Sequence, residues 1–467
     1  MRFAKDNVRP HPVPLPQVKN AGALPTRWPD YEQVAAQAVT PENRFLVAAS
    51  GGQNCFLTGM AGTGKSTLLR RFIDDCSSAL SPRKVDVTAP TGVAALNVGG
   101  MTVHRFCGML LGPQEGQDNE TYFAQLAQDE RPSIRAGFRR VQRCETLVID
   151  EISMLPGRQL DFIEFLFRHL RGRDEPFGGC QVIVTGDFLQ LPPVRVLARG
   201  QAENQPYDWA FLAASWQRAD FKTIQLETVR RQDEPEFVRA LSRFRLGRVA
   251  GEDARLLQSR IKNFPPADLT RLFTHNVQVD RWNAFQLGEL PGPAVRLAAL
   301  QTGPPHQREF LEKNLLTPAV LDLKRGALVM FTVNKNERGS PTPVFVNGQI
   351  GHVVEVAEGS GSPVVKVRLE NGEVLQVERF IWRYSQKDPD GATFSQFPLR
   401  LAYAMTIHKS QGLSLRAAYL DIRAAREPGQ AYVAVSRVRT LAGLHFKAWF
   451  KGVHVSPEAI RFYEEAV

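Results

Sequence analysis

GMAGTGKST, residues 59–67, is the stretch on which the fold turns: Gly59, Gly64, Lys65 and Ser66 fit the phosphate-binding pattern GxxxxGK[ST]. Before it, Cys55, Phe56 and Leu57 read as a buried strand. After it, Leu68, Leu69, Phe72 and Ile73 recur at helical spacing, which completes the strand–loop–helix context the motif needs. The glycines permit positive φ and bring backbone N–H groups close to phosphate oxygens. The candidate nucleotide contacts are therefore Gly59, Ala61, Gly62, Thr63, Gly64, Lys65, Ser66 and Thr67. Lys65 is expected at the β and γ phosphates and the Ser66 hydroxyl on a Mg²⁺ ion.

Working outward, strand-like runs alternate with helix-like segments at 85–89, 146–149, 181–185 and 222–226, the rhythm of a parallel sheet covered on both faces. The rhythm returns at 271–274, 400–405, 417–421 and 445–450 without a second phosphate loop. Two α/β domains sharing one nucleotide is the expected organisation. Between the later runs, residues 327–383 change to short alternating strands, and Asn371-Gly372 inside VVKVRLENGEVLQV signals a hairpin. A small all-β insert is expected there, flanked by loop-rich residues 339–343 and 387–391. The hydrophilic stretch 114–140 is expected to form one or two surface helices.

Composition adds bounds rather than chemistry. A chain of 467 residues exceeds one typical core, and the net charge of +10 with a pI near 9.5 suits a polyanionic partner as well as a plain basic surface. Five cysteines, odd in number and widely spaced, suggest neither a disulfide framework nor a zinc site, so a reducing compartment fits. No apolar run reaches the roughly 20 residues that span a bilayer, and no membrane partner is expected. Residues 1–38 are read as a Pro-rich tail without a secretory signal, and the compact chain suggests a bacterial cytoplasmic protein.

Two further strand ends carry chemistry. LVIDEISM, residues 147–154, delivers adjacent carboxylates where open α/β sheets bind ligands; Asp150 is expected to hold Mg²⁺ and Glu151 to orient or deprotonate the attacking water. VTGDFLQLPPV, residues 184–194, offers Asp187, Gln190 as a γ-phosphate sensor, and Phe188 as a ring that could stack on a base, although an aromatic beside a strand end is more often core. LETVRRQDE and QAYVAVSRVRT supply Arg231 and Arg437 as candidate arginine fingers.

In order, GMAGTGKST, APTGVAALNVGGMTVHRF, VIDEISM, GDFLQLPPV, VRRQ, AMTIHKSQGLS and AYVAVSRVR resemble superfamily-one helicases of the 5′-to-3′ branch from about residue 40 onward. Residues 160–194 look like the signature region of the PIF (petite integration frequency) DNA helicases, which separates them from RecD-type relatives. The resemblance implies a RecA-like first domain over 39–190 and 216–226, a wedge over 191–215, a RecA-like second domain over 227–325 and 399–467, and an SH3-like β-barrel over 326–398. It implies ATP and Mg²⁺ as cofactors, and single-stranded DNA and its junctions with duplex as partners of a monomeric motor. Catalytic roles fall on Lys65, Asp150, Glu151, Gln190, Arg231 and Arg437, with Gly412 facing the nucleotide. The implied DNA track is Pro90, Thr91, Gly92, Thr102 and His104 on the first domain and Thr406, His408 and Lys409 on the second.

Where relatives carry a Gln that reads adenine, VTPENRF has Asn43, one methylene shorter, which leaves both adenine pairing and other nucleotides open. Activity on quadruplexes or RNA–DNA hybrids in genome maintenance is consistent with this resemblance. The alternatives are a RecD-like recombination helicase, a DNA-binding module without a motor, and a nucleotide-switched clamp or loader ATPase.

Overall fold

The computed structural model describes residues 40–78, 83–193, 206–262, 269–336, 343–357, 363–384, 391–449 and 452–466. The Pro-rich tail, much of the expected wedge and parts of both loop-rich flanks lie outside these residues.

The first unit is a six-stranded parallel sheet. Its strands are β1 (Cys55–Gly59), β2 (Val85–Ala89), β3 (Met101–Thr102), β4 (Thr146–Ile149), β5 (Gln181–Gly186) and β6 (Lys222–Leu226), in the spatial order β3-β2-β4-β5-β1-β6. The central strands are apolar at nearly every position because both faces are covered. Phe56, Leu147, Ile149, Val182 and Val184 enter one core, while Cys55, Leu57, Val148 and Ile183 enter the core on the opposite face. This alternation follows from the two-residue period of a strand. The hydrophilic stretch forms two helices, Asn119–Gln128 and Pro132–Arg143; the second buries Ile134, Phe138 and Val141, exposes Arg135, Arg139 and Arg143, and turns Arg140 inward to the carbonyls of Arg105 and Phe106. Residues 207–216 contribute Trp209, Ala210, Phe211, Ala213 and Trp216 to the first core.

The second unit contains a four-stranded parallel sheet, Ala404–Thr406, Thr270–Phe273, Ala418–Leu420 and Leu444–Phe446 in spatial order. The apolar run 400–405 is not one strand. Leu399–Leu401 closes an antiparallel five-stranded sheet with Leu328–Phe331, Ile350–Ala357, Val364–Leu369 and Val374–Val377, and Ala404–Thr406 belongs to the parallel sheet. Asn371-Gly372 forms the expected hairpin turn, with Gly372 at φ 87° and its N–H donating to Leu369 O at 3.0 Å. The mixed α/β fold with parallel sheets is of RecA-like type.

After the last parallel strand the chain returns to the first unit. The C-terminal helix Pro457–Ala466 buries Ala459 in the first core and packs Phe462 against Phe56, Phe188, Phe211 and Trp216. Burying one such ring stabilises by about 1.5–3 kcal/mol.

Candidate active site

Strand β1 ends in the phosphate loop. Gly62 sits at φ 84°, and a Cβ there would lie 2.6 Å from the Cβ of Arg231, so only glycine lets the loop and the segment after β6 approach this closely. Backbone pairing reinforces the approach: Arg230 N donates to Gly62 O at 2.8 Å. The Lys65 ammonium donates to Gly59 O at 2.7 Å and Met60 O at 3.0 Å, which curls the side chain over its own loop. Burial lowers its pKa, and the fields of Asp187 and Glu151 act in the opposite sense.

At the C-terminal end of β4, Asp150 accepts hydrogen bonds from Glu151 N at 2.9 Å and from the Thr185 hydroxyl. Glu151 has φ 54°, a left-handed conformation that is uncommon away from glycine and frequent where function fixes the backbone. Its Oε2 accepts from Gln411 Nε2 at 2.9 Å, a contact between the two units. Burial, then the neighbouring Asp150, raises the Glu151 pKa to about 7, which suits a group that takes a proton from water. The donors near this strand end fit Mg²⁺: Asp150 and Ser66 are hard oxygen ligands, and Mg²⁺ usually takes one or two carboxylates and completes its shell with water and phosphate. Among the described residues no cluster of three His, Cys, Asp or Glu forms a metal cage.

Asp187, after β5, is fully buried and paired with Arg245, the last residue of the helix Pro235–Arg245, at 2.7 and 3.1 Å. Burial pushes the Asp187 carboxyl up, and the guanidinium more than offsets this, leaving it below its ordinary range. Gln190 donates to Asp187 Oδ2 at 3.3 Å, so the expected sensor hangs on the same carboxylate. The Tyr463 hydroxyl from the C-terminal helix lies 2.7 Å from Thr58 Oγ1, accepts from Phe188 N at 3.1 Å and donates to Asp187 Oδ1 at 3.3 Å. Phe188 itself corrects an expectation. It is 1 % exposed, ringed by Phe56, Trp209, Phe211, Trp216 and Phe462, and is a core residue with no face for a base.

The arginines converge on the same region. Arg231 Nε donates to Ser414 Oγ at 2.8 Å and Nη1 to Ser436 O at 3.0 Å, while its stem lies on Gly62. Arg437 is almost fully buried, donating to Val433 O and Ser436 Oγ at 2.8 Å each, within reach of the fields of Glu151 and Asp187. Burial lowers the pKa of both, because neither has a carboxylate partner. Tyr432 accepts from Ala61 N at 3.0 Å and so touches the loop backbone directly. Gln411, Tyr432, Ser414, Arg245 and Tyr463 carried no assigned role in the sequence. The first three lie inside the motifs quoted above, whereas Arg245 and Tyr463 have no local signal. Gly412, at φ 79°, follows Gln411 and makes the turn that brings it to Glu151.

The expected DNA track divides into two groups. Thr91 and Thr102 are helix N-caps whose hydroxyls accept from Ala94 N at 3.2 Å and Arg105 N at 3.4 Å. Gly92 is packed under Asn314 of the helix Pro305–Asn314, with space for no Cβ, and Pro90 leads from β2 into this corner. Arg105 donates to Tyr384 O at 3.0 Å and stacks on its ring at 3.3 Å. His104 is part-buried, and that burial lowers its pKa. On the second unit, His408 is exposed, Lys409 half-buried, and the Thr406 hydroxyl accepts from Lys409 N at 3.3 Å. Asn43 lies in the first turn of the helix Pro41–Ser50, and its neighbour Glu42 pairs with Arg230 at 2.9 Å.

Known proteins with related sequences sharpen this picture. A family profile described as PIF1-like helicase matches residues 37–253. The ATP-dependent DNA helicase Pif1 of Bdellovibrio bacteriovorus is 36 % identical over 419 residues, which is 89 % of this chain and 89 % of that protein. The ATP-dependent DNA helicase PIF1 of Xenopus laevis is 38 % identical over 436 residues, covering 91 % of this chain but 64 % of the frog protein. Among solved structures, Bacteroides Pif1 in complex with ADP-AlF4 matches at TM-score 0.75 and 30 % identity, over 91 % of this chain and 96 % of that one. Bacteroides Pif1 bound to ssDNA matches at TM-score 0.60 and 30 % identity, over 92 % of this chain and 96 % of that one.

Proposed function

The chain belongs to the PIF1-like helicase family, an enzyme family of ATP-dependent DNA helicases, and from that premise we propose that it moves 5′ to 3′ along single-stranded DNA and separates the duplex ahead. The observation that carries the reading is the approach of the second unit to the phosphate loop and to the neighbouring carboxylate: Arg231 on Gly62, Tyr432 on Ala61, and Gln411 on Glu151.

In this mechanism the loop amides and Lys65 hold the β and γ phosphates of ATP, and Lys65 exchanges its bonds to Gly59 O and Met60 O for phosphate oxygens. Mg²⁺, when bound by Asp150 and Ser66, supplies neutralisation of phosphate charge. Glu151, released from Gln411, accepts the proton of the attacking water, and Arg231 and Arg437 stabilise charge on the transferring phosphoryl group. Gln190 reports the loss of the γ-phosphate to Asp187, whose pairing with Arg245 carries the change into the second unit.

The DNA path runs over Pro90, Thr91, Gly92, Thr102 and His104 and on to Thr406, His408 and Lys409, through contacts to the sugar-phosphate chain that read no sequence. Asn314 of the helix Pro305–Asn314 covers Gly92, so on this reading a strand reaches Gly92 only after that helix has shifted. One chain contains both sides of the cleft, which supports the single chain as the catalytic unit.

The test is unwinding of matched duplexes bearing a 5′ or a 3′ single-stranded tail, with ATP and Mg²⁺, beside Glu151→Gln. Opening of the 5′-tailed substrate alone, abolished in Glu151→Gln, is the expected result. Opening of the 3′-tailed substrate alone removes the polarity, and opening of neither removes the motor.

A further inference from the structure

Leu399–Leu401 pairs antiparallel with Leu328–Phe331, and Arg400 stands opposite Met330. Leu399 enters the core of the antiparallel sheet, so Arg400, one residue on, turns to the other face. There it is 9 % exposed, and its Nε is buried without a hydrogen-bond partner. Among the described residues its guanidinium makes no hydrogen bond and no ion pair. Arginines at this depth are almost always paired, because burying an uncompensated charge is costly.

The charged groups whose fields reach Arg400 do not compensate it. Asp280, on the helix Asn276–Glu289, is exposed and outside ion-pair distance, and Lys409 is a second cation. Burial lowers the pKa of both Arg400 and Lys409, and their mutual repulsion lowers that of Lys409 further. A buried guanidinium whose Nε has no partner, within the electrostatic reach of a lysine in the motif expected on the DNA track and of a single exposed carboxylate, is a site that an external anion completes. A guanidinium, with its planar fork of N–H donors, is suited to a phosphate.

We propose that Arg400 is a phosphate-contacting residue of the single-stranded DNA path on the second unit, acting with Lys409 and left without an ion pair among the described residues so that a backbone phosphate of the strand completes it. This rests on the DNA-motor reading above and extends its track to a residue outside the motifs.

The experiment measures equilibrium binding of a fluorescent oligothymidylate by the full chain across a series of salt concentrations, for the parent protein, Arg400→Gln and Arg400→Lys. Neutralising one fewer phosphate of a single strand makes the slope of log K against log[salt] shallower by about 0.7. Arg400→Gln is expected to show that reduction with weaker binding, and Arg400→Lys to keep the parent slope. Thermal unfolding of Arg400→Met adds a readout that a structural arginine would move the other way: with an unpaired buried charge gone, its midpoint is expected at or above the parent's. An unchanged slope in Arg400→Gln overturns the proposal even if the midpoint falls, since the arginine is then structural. A parent protein that shows no salt-dependent strand binding overturns the motor reading as well; a parent that binds and unwinds beside an unchanged slope overturns the role of Arg400 alone.

Discussion

Arg245 and Arg400 are buried to the same depth, each 9 % exposed, and the molecule treats them in opposite ways. Arg245 meets Asp187 at 2.7 and 3.1 Å and passes beneath the ring of Tyr463, so its charge is answered inside the protein. Arg400 has a buried Nε without a partner and makes no ion pair among the described residues. Arg231 and Arg437 fall between these extremes, bonded only to hydroxyls and carbonyls. On the function proposed above, the difference separates an arginine that ties the two units together from arginines available to a ligand's charge. Pairing within the protein fixes a position, and an unpaired guanidinium keeps its donors for a ligand.

The largest test of that division is Arg437→Ala. If Arg437 is reserved for the γ-phosphate, DNA-stimulated ATP hydrolysis drops about 10³-fold or more. The unfolding free energy should shift by only about 1 kcal/mol, because the two bonds removed go to neutral acceptors. A large stability loss with nearly intact hydrolysis would place Arg437 with Arg245 instead.

Asp187→Asn addresses the paired side. It leaves Arg245 buried beside a neutral amide and should cost about 3–5 kcal/mol in urea unfolding, most of it regained in the Asp187→Asn, Arg245→Met double variant. Failure of the second change to restore stability would show that Asp187 acts mainly through Gln190 or Tyr463.

Gly62→Ala probes the close approach that aims Arg231. With φ at 84° and the new Cβ 2.6 Å from that of Arg231, the arginine must move, and turnover should fall by about tenfold, the equivalent of roughly 1.4 kcal/mol in the barrier. Turnover equal to the parent's would remove Arg231 from the ligand-reserved set.

Smallest is Tyr463→Phe, which keeps the ring and removes a hydroxyl bonded to Thr58 and Phe188 N. A stability loss of about 1–2 kcal/mol is expected by thermal or urea unfolding. No measurable loss would mean that the ring alone anchors the C-terminal helix.

The half of the site built from contiguous chain was legible in the sequence. A loop that binds phosphate needs its glycines and lysine at set spacings, and a strand end needs only its carboxylates, so Lys65, Asp150 and Glu151 announced themselves. The paired arginine did not, because Asp187 and Arg245 are 58 positions apart, and Tyr463 meets Thr58 across 405. No periodicity encodes such a meeting.

Phe188 was misread for a related reason. A ring after a strand has the same local pattern whether it faces solvent or, as here, five other aromatic rings. The run 400–405 hid a change of sheet because apolar residues satisfy both sheets equally, and with it hid the burial of Arg400. Thr91 and Thr102 were readable as helix caps, each standing just before a short helical segment, and that role was overlooked in favour of ligand contact.

The return of the C-terminal helix to the first core also sets the kinematics of the molecule. The polypeptide passes from the first unit to the second once, after β6, and passes back once, before Pro457. Halves joined by a single strand of chain could swivel in any direction. Joined at two points, they have fewer ways to turn against each other than halves joined at one. Cutting the chain between residues 447 and 456 would remove one of these connections and leave the Arg245–Asp187 pair and the contacts of Tyr432 and Gln411 to hold the orientation alone.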